Sequence, residues 1–353
     1  MKRIVSYMLM AVMLCLSLAG CGKNNQGEKN TKVVLTTGFG KNEIFRIEKK
    51  SCTLPEIMVY LMNTKNEYEE VFGEKIWEVT KEGKDLQSQL KDRVIADIAR
   101  IKAMNLMAEA EGISLDEEEM AKLKTLSETY YASLTAEEVQ ALAVDEDLIY
   151  QMYQEKALAD KIYQYLIADI NPEISDDEAR TIKVACIFFK TYHMDEKGNK
   201  QEFSEQSKKE TYEKAKEALQ KAKEGEDFDS LITQYSDKEE HTLSFGKGTY
   251  DEAFEKAAFN LATDEISHII TTEDGYAIIK CLSTFDRDET DRNKLKIVEE
   301  KRKEVFDEEY SAFITGLTKT LNEKLWDSVS FITTPQITTS SFFDLYTQMY
   351  AEA

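Results

Sequence analysis

Residues 176–285 of this chain alternate strand patterns with helix patterns, whereas helical periodicity dominates the residues on either side. The stretch from Thr181 to Lys190, TIKVACIFFK, is β-branched and aromatic, which is typical of a buried strand. The other predicted elements, in order, are helix 208–223, a short helix opened by Asp227, strand 242–245, helix 251–261 and strands 266–271 and 276–282. The order β-α-α-β-α-β-β predicts a small α+β domain with an antiparallel-rich sheet flanked by helices.

The preceding residues, 43–175, predict a multi-helix domain, entered through a short extended segment at 33–47. Only 3 Pro and 14 Gly occur in 353 residues, below the usual frequencies of about 5% and 7%. Capping boxes are predicted from Ser114 to Glu117 and from Thr135 to Glu138. This domain offers no obvious catalytic residue.

Residues 289–325 predict one further charged helix, whose apolar side would pack against the N-terminal helices. The segment 286–329 is therefore assigned to the helical domain, and the α+β domain is predicted to be inserted between its two parts. The tail, 330–353, is rich in Thr and Ser and has no predicted element.

The first residues have the layout of a signal peptide. Lys2 and Arg3 precede an apolar run that is too short to span a bilayer and ends in Leu-Ala-Gly-Cys at Cys21. That ending resembles the bacterial lipobox, which implies cleavage of residues 1–20 and lipidation (diacylglycerol, palmitate) of Cys21, followed by a flexible tether over 21–42. The alternative is an ordinary signal peptide followed by a chance cysteine. Either version places the mature chain outside the cytoplasm, and the lipobox version anchors it to the extracytoplasmic face of the cell membrane.

The formal net charge of −22 excludes one class of partner. An acidic surface repels phosphate backbones, so no nucleic-acid partner is expected. The charge is explained either by solubility or by an acidic recognition patch.

Three cysteines remain after Cys21, namely Cys52, Cys186 and Cys281. Their odd number and wide spacing predict neither a disulfide framework nor a metal site, and no cofactor is expected. Buried free thiols are the simplest interpretation, with a bridge between Cys186 and Cys281 as the alternative.

Several segments of the α+β region together resemble a known family. In order they are KVACIF, GEDFDSLITQYSD, FGKGTYDEAFEKAAFNL and DEISHIITTEDGYAIIK, the last containing an Asp274-Gly275 turn typical of a hairpin. They resemble the parvulin (PpiC or rotamase) domain of peptidyl-prolyl isomerases. With helices on both sides and a lipoprotein signal, the chain resembles the PrsA-type foldases and SurA-like chaperones, in which this domain is inserted into a helical chaperone domain.

The resemblance implies a site for rotation about X–Pro bonds, a reaction with a barrier of about 18–20 kcal/mol. The family's two strand histidines fall on Cys186 and Ala277, its Cys or Asp position falls on Lys238, and its hydroxyl position falls on Asp274. Because both histidine positions are replaced, enzymatic activity is an open question.

The apolar proline pocket of the family falls on Tyr250 and Phe254, which are otherwise explained as simple core residues. Cys186 has a second interpretation as a nucleophile or redox sensor, but a cysteine in the middle of a strand is usually an inert core residue. His241 and His268 lie nearby in sequence, and either could replace a missing histidine.

The resemblance therefore implies a lipid-anchored, extracytoplasmic foldase that acts on unfolded or newly secreted polypeptides with X–Pro segments. One version is an active isomerase with an atypical site. The other is a non-enzymatic holdase that grips peptides in the former proline groove. A solute-binding lipoprotein is a third possibility, although the two-lobed α/β pattern of such proteins is missing.

Overall fold

The computed structural model describes residues 38–81, 83–195 and 199–351. The predicted signal peptide, Cys21 and the tether as far as residue 37 lie outside the described residues. None of the helices within the described ranges is both long enough and apolar enough to cross a membrane.

The N-terminal part is a β-hairpin followed by helices. Its elements are β1 (Glu43–Ile47), β2 (Lys50–Thr53), α1 (Leu54–Phe72), a 3-10 helix (Glu74–Glu78), β3 (Thr80–Lys81), β4 (Lys84–Asp85), α2 (Leu86–Glu111), α3 (Glu117–Ser133), α4 (Ala136–Leu142) and α5 (Glu146–Ile167). The capping box predicted at Thr135 and Glu138 opens α4. The one predicted at Ser114 is wrong, because Asp116 is the N-cap of α3 and forms the box with Glu119 three residues later.

The C-terminal part returns to the N-terminal hairpin. Its elements are α9 (Arg287–Thr315), β11 (Lys319–Leu321), α10 (Glu323–Asp327) and α11 (Phe342–Ala351). β11 pairs antiparallel with β1, giving a three-stranded sheet of order β11-β1-β2. The single helix predicted over 289–325 is therefore wrong beyond residue 315. The chain leaves the helix at Gly316, and the Thr318 amide then donates to the Glu48 carboxylate at 2.7 Å.

One apolar cluster joins α9 to the earlier helices. Phe306 of α9 is fully buried among Met104 and Met107 of α2 and Ile162 of α5. The chain segments before and after residues 176–285 therefore share both a sheet and part of a core. The exact domain boundaries stay predictions.

The tail contains a helix that the sequence did not reveal. Phe342, at the start of α11, stacks on Tyr153 of α5 at 4.4 Å between ring centres. Its backbone amide donates to the side-chain oxygen of buried Asn63 at 3.1 Å. Aromatic packing at a distance, rather than local periodicity, thus fixes this helix.

The intervening region has the predicted order of elements plus one extra hairpin after its first strand. Its elements are β5 (Ile182–Lys190), β6 (Tyr192–Met194), β7 (Lys200–Glu202), α6 (Glu205–Lys223), α7 (Phe228–Tyr235), β8 (Thr242–Phe245), α8 (Glu252–Phe259), β9 (Ile270–Thr272) and β10 (Gly275–Ser283). The four-stranded antiparallel sheet has the order β8-β5-β10-β9. The predicted α+β class is confirmed.

Side chains of β5 alternate between the two faces of this sheet, as expected for a strand buried on both sides. Ile187 and Phe189 pack with α6 and α7, whereas Cys186 and Phe188 pack with Phe254 of α8. The candidate site lies on the face covered by the short helix α8.

Two local predictions in this region need correction. The strand predicted over 266–271 is limited to β9, with an isolated bridge from Ile266 to Lys280. The turn lies at Glu273 and Asp274, one residue earlier than predicted, and Gly275 is already the first residue of β10.

The cysteines are not bridged. Cys186 pairs in register with Ile279, and Cys281 pairs with Val184. Cys52, Cys186 and Cys281 are all buried free thiols. The alternative of a Cys186–Cys281 disulfide is wrong.

Candidate functional site

A cavity of about 360 Å³ opens between β5, α8, the loop after α7 and the β9–β10 turn. It brings together most of the residues that the sequence predicted for a site. Its lining residues are Cys186, Phe188, Lys238, Glu240, Leu243, Thr249, Tyr250, Asp251, Phe254, Thr272, Glu273 and Asp274.

The floor of the cavity is apolar. Cys186 and Phe188 come from β5, Leu243 from β8 and Phe254 from α8, and all of them belong to or pack against one hydrophobic cluster. Burial raises the pKa of the Cys186 thiol to about 12, an effect that the nearby Lys238 ammonium only partly opposes. A thiol that stays protonated is a small apolar lining group, so the geometry favours the inert interpretation of Cys186 over the nucleophilic one.

Tyr250 and Phe254 form an aromatic wall. Their ring centres are 5.1 Å apart, and Tyr250 also makes an edge contact with Phe245 at 4.8 Å. Phe254 is buried, whereas 40% of the Tyr250 surface stays exposed. Phe254 is thus both core and lining, while Tyr250 presents a free edge to a ligand.

The turn that carries Tyr250 is fixed by a carboxylate from α8. Glu255 accepts hydrogen bonds from three consecutive backbone amides, those of Gly248 at 3.0 Å, Thr249 at 2.7 Å and Tyr250 at 2.9 Å. Asp251 accepts from the Phe254 amide at 2.9 Å and so caps α8. These bonds orient the aromatic wall relative to the helix.

The loop after α7 forms a second wall. The pairing of β5 with β8 ends at Ala185. Beyond that residue the loop forms the backbone hydrogen bonds with β5: the Cys186 amide donates to the His241 carbonyl at 2.7 Å, and the Asp237 amide donates to the Phe188 carbonyl at 2.8 Å. Lys238, between these anchors, places its ammonium 4.1 Å from the centre of the Phe188 ring. This cation–π contact holds a hydrogen-bond donor at the cavity.

The mouth of the cavity is acidic. Its carboxylates belong to Glu240, Asp251, Glu273 and Asp274. Asp274, at the predicted hydroxyl position, is ion-paired with Lys200 of β7 at 2.7 Å. Burial raises the pKa of the Tyr250 hydroxyl, and the Glu240 carboxylate raises it further.

Ala277 is not part of the lining. It is fully buried and pairs with Phe188 in the β5–β10 register, so it packs on the same face of the sheet as the cavity floor without reaching the cavity surface. Neither suggested replacement histidine lines the cavity: His268 is exposed, and the His241 ring has a buried Nδ1 with no hydrogen-bond partner among the described residues. The structure therefore brings Cys186, Lys238, Tyr250, Phe254 and Asp274 together and leaves Ala277 outside.

Several lining residues were missed by sequence reasoning. They are Phe188, Glu240, Leu243, Thr249, Asp251, Thr272 and Glu273. Strand alternation two residues beyond Cys186 would have indicated Phe188, and the N-cap pattern of α8 would have indicated Asp251. The loop residues gave no comparable signal.

The region that contains the cavity is similar to a known protein family. Residues 187–283 match the family model described as Rotamase, the PPIC-type PPIASE domain. The chain is 21% identical over 288 residues to the foldase protein PrsA of Caldanaerobacter subterraneus subsp. tengcongensis, covering 79% of this chain and 82% of that protein. It is 38% identical over 92 residues to the foldase protein PrsA of Bacillus subtilis, covering 24% of this chain and 31% of that protein.

A solved structure is also similar over most of its length. The peptidylprolyl isomerase PrsA of Bacillus cereus is 19% identical with a TM-score of 0.36, covering 76% of this chain and 97% of that one. By the family match, residues 187–283 are similar to the PPIC-type, or parvulin, peptidyl-prolyl isomerase domains, and the chain as a whole is similar to the PrsA foldases.

Proposed function

We propose that this chain is an extracytoplasmic foldase of parvulin type whose cavity binds X–Pro segments of unfolded or newly secreted polypeptides. One observation carries the proposal. Four family-equivalent positions within the region that matches the rotamase family, together with Cys186 directly before it, converge on one cavity with an apolar floor.

The chemistry that such a cavity supports is non-covalent. Rotation about an X–Pro bond is accelerated by a site that binds the twisted amide more tightly than either planar isomer. The apolar floor at Phe188 and Phe254 suits the proline ring, and the Lys238 ammonium and the Tyr250 hydroxyl are donors for the polar atoms of the amide. No nucleophile is needed, which agrees with the raised pKa of Cys186.

A second candidate is a holdase that uses the same cavity without accelerating isomerisation. This candidate is favoured because the two positions at which the family has histidines are occupied by other residues in this chain. Cys186 carries a thiol that stays protonated, and Ala277 is buried and does not line the cavity. Neither position supplies the titratable ring of the family.

The two candidates are separated by a protease-coupled isomerase assay combined with peptide binding. Tyr250→Ala removes an exposed aromatic side chain from the cavity. The control, Tyr212→Ala, removes an exposed aromatic side chain from α6, on the other side of the sheet. The two are well matched, since they are 40% and 37% exposed and each makes an aromatic contact at 5.1 Å.

An active foldase predicts turnover above background that falls in Tyr250→Ala and persists in Tyr212→Ala. A holdase predicts that peptide binding follows the same pattern while the rate of isomerisation stays at background. Binding that is unaffected by Tyr250→Ala, or the absence of binding to any proline peptide, would contradict the proposed role of the cavity.

We also propose that Cys21 is lipidated and anchors the chain to the membrane. The support is the Leu-Ala-Gly-Cys ending after an apolar run. Labelling of cells with radioactive palmitate should mark the chain, and Cys21→Ser should abolish the label. A label that persists in Cys21→Ser would contradict the proposal.

A further inference from the structure

We propose that the cavity prefers X–Pro segments with a lysine or arginine next to the proline, and that Glu240 and Glu273 create this preference. The inference rests on the proposed function, because it assigns a substrate class to the same cavity. The cavity and its apolar floor exist independently of these two carboxylates.

Two of the four carboxylates at the mouth already have partners. Asp251 caps α8 through the Phe254 amide, and Asp274 is ion-paired with Lys200. In the part of the chain that the structure describes, the carboxylates of Glu240 and Glu273 make neither a hydrogen bond nor an ion pair. Both residues are exposed at the mouth and lie on different loops, the one after α7 and the β9–β10 turn.

Lys238 does not cancel this negative charge. Its ammonium lies over the Phe188 ring at the floor, and no carboxylate among the described residues lies within 4.0 Å of it. The cavity therefore has one cation at its floor and two uncommitted anions at its mouth. A peptide whose proline occupies the floor would place its neighbouring side chains near the mouth, where a cation is favoured and an anion is repelled.

The size of the charge preference depends on the exposure of the Glu240 and Glu273 carboxylates to solvent. Ion pairs that remain partly in water change affinity by about two- to fivefold each, and salt screens them. A preference for a cationic over an anionic neighbour of roughly five- to twentyfold is therefore expected at low salt, and it should shrink at 0.3 M salt, where the screening length falls to about 6 Å.

The test uses the full mature chain and three acetylated, amidated peptides that differ only in the residue before proline, which is Lys, Gln or Glu. Dissociation constants are measured by fluorescence anisotropy at low and high salt. The expected order of affinity is Lys, then Gln, then Glu, with the differences reduced at high salt. The double variant Glu240→Gln with Glu273→Gln should lose the discrimination between the Lys and Glu peptides.

A second double variant controls for net charge. Glu226→Gln with Glu304→Gln removes the same charge from exposed positions away from the cavity, and it should keep the discrimination. If this control also loses it, the preference comes from the overall charge of the chain and the assignment to Glu240 and Glu273 is overturned.

The remaining outcomes separate the inference from the proposed function. Equal binding of all three peptides, or tighter binding of the Glu peptide, overturns the charge preference while leaving the cavity as an X–Pro site. Failure of every peptide to bind, at either salt concentration, overturns the proposed function and the inference with it.

Discussion

The Tyr250 amide donates a hydrogen bond to the Glu255 carboxylate at 2.9 Å, and the same carboxylate accepts the two preceding amides. A side chain in the first turn of α8 therefore fixes the turn that leads into the helix. Through this turn it sets the position of the aromatic edge at the cavity. Glu255 does not line the cavity itself, so its contribution is to positioning.

Glu255→Ala should weaken peptide binding and destabilise the protein by about 1–3 kcal/mol, because three backbone donors lose a charged acceptor. Glu255→Gln keeps an oxygen that can accept from Thr249 and Tyr250, so a smaller loss of both is expected. Urea denaturation and peptide affinity measure the two effects. Glu252→Ala, an exposed glutamate on the same helix, is the control, and an equal loss in this variant would argue against the positioning role.

The family histidines cannot both be restored without cost. Ala277 is fully buried against a packed cluster, so Ala277→His should destabilise the protein by about 1–3 kcal/mol through overpacking, with a further cost if the ring is left without a partner. Cys186→His should cost less, because Cys186 borders the cavity. Urea denaturation of the two single variants tests this order of stability. Equal stability of the two variants would mean that the sheet adapts to a ring at residue 277.

The sequence predicts the order of elements in the rotamase region well, because each strand and helix there has a clear local period. It fails where distant contacts decide the structure. The helix that begins at Phe342 is stabilised by the stacking of Phe342 on Tyr153 and by the hydrogen bond from the Phe342 amide to the Asn63 side chain. Lysine is usually a surface residue, yet Lys102 is buried. Its Nζ atom lies 2.5 Å from a carboxylate oxygen of Glu56 and 2.6 Å from one of Glu155.

The candidate site divides in the same way. Tyr250 and Phe254 were predicted from the resemblance of their segment to the parvulin family, and both line the cavity. The positions of the loops relative to the sheet decide whether Glu240 and Glu273 line the cavity and whether Glu255 accepts the three backbone amides. Local periodicity in the sequence gives no signal for these positions. Ala277 shows the converse, since alignment to a family position does not determine whether a side chain on the cavity face of the sheet reaches the cavity surface.

Gly275 is required by a close approach between neighbouring strands. A Cβ atom at this position would lie 1.9 Å from the Phe189 carbonyl oxygen. Gly275→Ala should therefore destabilise the protein by more than about 1 kcal/mol, since the β5–β10 backbone must move. Gly248→Ala is the matched control, because Gly248 also has a positive φ but has no atom within 4 Å of the added carbon. Thermal denaturation should show the larger loss for Gly275→Ala, and the reverse order would contradict the argument.

Glu67 of α1 should make stability depend on pH. Burial, together with the carboxylates of Asp344 and Glu70, raises the pKa of Glu67 to about 7, and its Oε1 atom has no hydrogen-bond partner among the described residues. Because the folded state holds this proton more tightly than the unfolded state, the contribution to stability is complete below about pH 4.5 and is lost as the pH rises through 7.

The pKa difference sets an upper limit of about 3 kcal/mol, and solvent screening of this half-buried group lowers the expected loss to roughly 1–2 kcal/mol. Glu67→Gln removes the titrating group, so its free energy of unfolding relative to the parent should increase between pH 4.5 and pH 8. Urea denaturation at several pH values measures this difference. Glu137→Gln, at an exposed position on α4, is the control variant, and a difference for Glu67→Gln that stays constant with pH would contradict the raised pKa of Glu67.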